Sequence, residues 1–105
     1  MFKIVKATEG TTRQITENKS ANNLITKEDT PVMSLATTEG IDYHEKESTK
    51  YNRIYYVLEG KLALGFDGKF YELTAGDTCY MDAGTDYEMK GTFKALVVNQ
   101  PAYGV

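Results

Sequence analysis

The stretch LALGFDGKFYEL, residues 62–73, sets Asp67-Gly68 between two apolar segments. An Asp-Gly pair tolerates the positive φ angles that a two-residue hairpin turn requires, so the stretch reads as two antiparallel strands. Working outward, YYVLEGKL (55–62) is rich in Tyr, Val and Leu with Gly60 as its only break, which suits two strands joined by a tight bend. Downstream, TAGD (74–77) and DAGTD (82–86) bracket the run Thr78 to Met81, and Gly91 separates DYEMK from the last apolar run, FKALVV (93–98). Upstream, PVMSLATTEG (31–40) and IDYHEKES (41–48) add two more strands, with Pro31 at a strand's first position and Pro101 ending the last ladder. Turns therefore recur every ~8–12 residues, the spacing of antiparallel sandwiches and barrels. The stretch from Thr8 to Asp29 is polar and less periodic, with one short strand, NNLIT (22–26), expected within loops. No window carries apolar residues at helical spacing with caps at both ends.

The chain has 105 residues, enough for one compact domain and too few for two. No apolar run approaches the ~20 residues of a membrane span, and MFKIVKATEG lacks the apolar core and cleavage site of a secretory signal. Cys79 is the only cysteine, so no internal disulfide forms, and a cytoplasmic location is expected. In an apolar strand, with nothing nearby to lower its pKa, Cys79 reads as a small buried hydrophobe. A formal charge of -3 with both signs spread along the chain offers no basic stripe, and nucleic acid is not an expected partner.

Between Val32 and Tyr103 the sequence resembles the cupins, small jelly-roll barrels of two antiparallel sheets. The family's first motif is Gly, five residues, His-x-His, three or four residues, Glu, six residues and Gly; Gly40 to Gly60 keeps that spacing, and YYVLEGKL is a typical ending. The second is Gly, five residues, Pro-x-Gly, two residues, His, three residues and Asn, matched by Gly76-Asp77 and Gly84. The resemblance implies an all-β, single-domain cupin barrel over residues 1–105, with an N-terminal strand and loops in 1–30 and the conserved barrel in 31–103. Cupins commonly dimerise, often by exchanging N-terminal strands, so a homodimer is expected, with FKIVKA (2–7) added to a sheet edge.

At the family's metal-ligand positions this chain carries other groups. Lys46 and Ser48 stand at the two histidines of the first motif and Arg53 at the glutamate; Asp82 replaces the proline of the second motif, Tyr87 its histidine and Gly91 its asparagine. Lys and Arg offer only donors and positive charge, so no metal and no cofactor are expected.

Arg53, Tyr55 and Val57 share a parity, and carrying the glutamate position onto Arg53 points all three inward. Tyr87 and Met89 face them from the opposite side. With Lys46 and Ser48 turned the same way, the expected ligand-binding set is Lys46, Ser48, Arg53, Tyr55, Tyr87 and Met89, a lining suited to a small polar or anionic metabolite. The alternative is a structural role, with Arg53 paired to a carboxylate such as Glu88 or Asp82. His44, the only histidine, shares the face of Lys46, while Glu45 and Glu47 take the other, so HEKE makes no facial ligand cluster. The expected function is a metal-independent binding protein. The alternative is a metal-independent enzyme, of sugar epimerase, isomerase or lyase type, moving a proton with Tyr87 or His44.

Overall fold

The computed structural model describes the whole chain, Met1–Val105. Asp67 at φ 52° and Gly68 at φ 82° form the two-residue turn that joins β4 (Asn52–Phe66) to β5 (Lys69–Leu73). The other strands are β1 (Thr11–Thr16), β2 (Lys19–Ile25), β3 (Ser34–Ser48), β6 (Thr78–Met81) and β7 (Asp86–Gln100). All pair antiparallel along one path, β1-β2-β3-β7-β4-β5, with β6 beside the first half of β4 on the same edge that β5 takes further along. The only helical element is a short 3₁₀ turn, Ala7–Glu9, and no helix is long and apolar enough to cross a membrane. This is the antiparallel all-β architecture that the turn spacing predicts, and the jelly roll that the family resemblance implies.

Three strands of fifteen residues carry the barrel, where the sequence suggests twice as many short ones. Gly60 and Gly91 are bends within long strands, not breaks between them. Gly60 has φ 77°, and a Cβ there would lie 2.2 Å from the Thr92 carbonyl oxygen; at Gly91, φ 131°, it would lie 2.3 Å from that of Lys61. Only glycine lets these strands approach so closely while turning a barrel corner.

Two β-bulges sit at the same level. On β3, Gly40 pairs with Phe93 and Tyr43 with Gly91, so Ile41 and Asp42 stand opposite the single residue Thr92. On β4, Val57 pairs with Ala95 and Glu59 with Lys94, which again leaves one residue extra. An extra residue reverses which side chains face inward. Ser34, Thr38 and Gly40 are buried before the β3 bulge, and Tyr43 after it; Arg53, Tyr55 and Val57 are buried before the β4 bulge, and Leu62 and Leu64 after it. On β7 the buried residues, from Tyr87 to Asn99, are all odd-numbered.

The core packs at one end, where Val57, Leu62, Leu64 and Met89 are fully enclosed, each contributing about 1.5–3 kcal/mol by burial. At the other end the inward residues of β3 are small, Ser34, Ala36 and Thr38, and the interior stays open. The hairpin β1–β2 borders this opening. β1 was not legible because all six of its residues are exposed, leaving no inward apolar period; of NNLIT, residues 22–25 are the second half of the longer strand β2 and Thr26 lies just beyond it. Pro31 precedes β3 by three residues instead of starting it, while Pro101 directly follows β7 as expected.

Candidate functional site

The open end of the barrel is a cavity of about 440 Å³. Its polar floor comes from Arg53 and Tyr55 on β4, Asn99 on β7, Glu45 and Glu47 on β3 and Lys19 on β2; Ile15, Ile25 and Val97 supply apolar wall.

Arg53 is only 7% exposed. Its Nε donates to Asn99 Oδ1 at 2.7 Å, and its Nη1 to Tyr87 Oη at 2.8 Å and to Glu47 Oε1. Tyr87 spends its one hydroxyl proton on Glu47. It therefore accepts from Arg53 and from Tyr55, whose hydroxyl lies 2.8 Å away. Every side-chain nitrogen or oxygen sealed from solvent has a hydrogen-bond partner. Arg53 Nη2 has none within the protein, so it is not sealed from solvent, and Arg53 lines the cavity.

Burial sets the charge states. It works against the Arg53 guanidinium, but the phenols of Tyr55 and Tyr87 and the Glu47 carboxylate outweigh it and hold the pKa above its ordinary value. Burial is also the main cause that pushes the Tyr87 phenol far up; Tyr55 adds to the rise, and Arg53 opposes it without prevailing. Tyr55 is raised for the same first reason. Both phenols are therefore hydrogen-bonding groups that keep their protons, which removes Tyr87 as a proton acceptor near neutral pH.

The structure brings Arg53, Tyr55, Tyr87 and Met89 together inside the barrel, and leaves Lys46 and Ser48 outside. Both of the latter are exposed on the outer face, where Lys46 pairs in register with Glu88. The reason is the β3 bulge, which turns Glu45 and Glu47 inward instead. His44 also points out, 59% exposed, and bonds Glu88, whose carboxyl it holds below the usual range. It lies outside the cavity and cannot move a proton there. The partner of Arg53 is thus Glu47, neither Glu88 nor Asp82. Cys79 is half-buried, its thiol pKa raised by burial.

Sequence reasoning missed Glu45, Glu47, Asn99 and Lys19. Tyr43 carried the signal for the first two: it is the only large apolar side chain in DYHEKES, so its own burial fixes the parity of Glu45 and Glu47. Asn99 continues the odd-numbered inward row of β7. Lys19 has no local signal.

The fold family implies a divalent metal at this end of the barrel, and the donor set does not fit one. No three His, Cys, Asp or Glu side chains converge. Glu47 is bonded to the Arg53 guanidinium and Glu45 faces the Lys19 ammonium, so both inward carboxylates already face fixed cations that would repel a metal ion.

A family model described as the cupin domain matches residues 32–98. No curated protein matches the chain. Among solved structures it is similar to KdgF from Halomonas sp., with 12% identity over 99% of this chain and 97% of that one and a TM-score of 0.86. It is similar to the polyketide cyclase RemF from Streptomyces resistomycificus, with 20% identity over 95% and 80% and a TM-score of 0.81. It also resembles a putative ethanolamine utilization protein Q from Salmonella typhimurium LT2, with 24% identity over 80% and 70% and a TM-score of 0.74. At these identities the likeness is one of fold.

Proposed function

This chain belongs to the cupin domain family, and on that premise we propose that it is a metal-independent protein whose barrel cavity binds a small polar metabolite through an anionic group. One observation carries the reading: a buried guanidinium, locked in orientation by Asn99, Glu47 and Tyr87, presents Nη2 to a cavity of metabolite size. An anionic oxygen is the group that a fixed cationic N–H donor binds most strongly, because a charge-assisted hydrogen bond is stronger than a neutral one. The Asn99 amide and the Thr38 hydroxyl offer polar contacts, while Ile15, Ile25 and Val97 exclude water around the ligand's carbon skeleton.

The test is a thermal-shift screen of small carboxylic acids on the wild-type protein and on Arg53→Lys, which keeps the charge but loses the rigid guanidinium that the Nε and Nη1 bonds hold in place. At least one acid stabilises the wild type, with an affinity at least tenfold weaker in the variant. Equal stabilisation of both proteins would remove Arg53 as the anchor.

We further propose that the protein acts as a homodimer. The outer face of β4 and β6 is apolar, with Ile54 paired to Tyr80 and Tyr56 beside them, exposed by 40%, 58% and 42%. A second copy is the partner whose matching face covers such a patch.

A further inference from the structure

Lys19, the first residue of β2, sends its ammonium into the same cavity. The side chain is only 12% exposed, yet its partners are distant: Glu45 Oε1 at 3.4 Å, the Met89 sulfur at 3.9 Å and the Tyr43 ring centroid at 5.0 Å. Good N–H···O bonds measure about 2.7–3.2 Å, so a nearly buried cation here has donors that no protein acceptor takes up closely. Glu45 is its counterpart. Oε2 accepts a 2.6 Å bond from the Tyr43 hydroxyl, but Oε1 receives only the long contact from Lys19. A donor and an acceptor joined only by this long contact thus stand side by side with hydrogen-bonding capacity to spare, and both residues line the cavity. The Met89 sulfur is also 3.9 Å from the Tyr55 hydroxyl, so this pair and the Arg53 network share one floor with a thioether between them.

We infer that Lys19 and Glu45, with Tyr43 orienting the carboxylate, form a second subsite that takes a hydroxyl group, which makes the ligand a hydroxy acid. This rests on the cavity reading proposed above, with the acid group at Arg53. A hydroxyl accepts from Lys19 and donates to Glu45, satisfying both at once. A second carboxylate would gain Lys19 but meet the charge of Glu45. An alkyl chain would strip both charged groups of water and return no hydrogen bond. An amine would meet Lys19 with like charge.

Titration calorimetry on the full chain compares gluconate and glycerate with their deoxy counterparts hexanoate and propionate, and with the dicarboxylate adipate. A hydroxy acid binds at least tenfold more tightly than its deoxy counterpart and than adipate. Glu45→Gln and Lys19→Met each remove about tenfold of that affinity while leaving the deoxy acids unaffected; Lys19→Gln replaces Lys19→Met if the latter does not fold. Arg53-dependent binding in which hexanoate, propionate or adipate matches the hydroxy acids overturns the second subsite and leaves the cavity reading standing. Absence of Arg53-dependent binding by all five acids overturns both.

Discussion

Arg53 Nη1 and Tyr87 Oη are 2.8 Å apart, although one is the second residue of β4 and the other the second residue of β7. The two strands run antiparallel, so Arg53 pairs with Asn99 at the far end of β7, and Tyr87 reaches it across the barrel interior. The bond holds the two sides of the cavity floor together and aims Nη2.

Tyr87→Phe keeps the ring and removes the hydroxyl that receives Arg53 and Tyr55 and donates to Glu47. Loss of bonds to charged groups in a buried site predicts a destabilisation of about 2–3 kcal/mol. Urea unfolding measures it. An unchanged midpoint would mean that the phenol is only filling space.

Glu47→Gln leaves the buried guanidinium without its countercharge. Removing one partner of a fully buried pair costs about 3–5 kcal/mol, but the Glu47 side chain is 34% exposed and water screens part of the loss, so about 1–3 kcal/mol is expected. Arg53→Met in the same background should recover part of it, since no unpaired charge then remains. Strictly additive losses in the double-mutant cycle would separate the two residues energetically.

Alkaline pH should unfold the protein steeply. Tyr43, Tyr55 and Tyr87 all have raised pKa values, burial being the largest cause in each case. The folded state therefore holds these protons after the unfolded state, with tyrosine near ~10, has released them. The stabilisation is complete below about pH 10 and is lost as pH rises from there toward the folded pKa values, by about 1.4 kcal/mol per pH unit for each phenol. Urea midpoints across that range, together with the ultraviolet signal of tyrosinate, check it. Three phenols that ionise in the folded protein near their ordinary value would contradict the network.

The dimer proposal makes a simple demand. Gel filtration at micromolar concentration gives twice the chain mass for the wild type and a monomer for Ile54→Lys with Tyr56→Lys, because both side chains are substantially exposed in the single chain and a charge there opposes pairing. A monomeric wild type removes the proposal.

Much of this architecture was written in local chemistry. Asp67-Gly68 marked its hairpin because few other pairs accept two successive positive φ angles, and both angles are positive in the structure. Arg53, Tyr55 and Val57 were placed inward correctly because no bulge interrupts β4 between them. Lys46 and Ser48 were misplaced because a bulge leaves only a faint trace in sequence: Ile41-Asp42 carries no glycine or proline, yet one extra residue there reverses every side chain that follows. Lys19 illustrates a different limit. Its approach to Glu45, 26 residues away, depends on how the hairpin β1–β2 closes over the barrel, which no local pattern encodes.

The bulge itself yields the sharpest test of that parity. Asp42 lies at φ 46°, and its amide donates to Thr92 Oγ1 at 3.0 Å, so the extra residue is accommodated by local geometry and not by the ladder. Deleting Asp42 leaves Ile41 opposite Thr92 and keeps Tyr43 against Gly91, so Tyr43, Glu45 and Glu47 still face inward. The barrel should survive with a loss of about 1–2 kcal/mol, the size of the local rearrangement. Deleting His44, two residues further along and outside the bulge, shortens the ladder between Tyr43 and Glu45. Either Tyr43 leaves the core or Glu47 leaves Arg53, and cooperative unfolding should disappear. If the two deletions proved equally harmful, the bulge would not be what sets the inward face of β3.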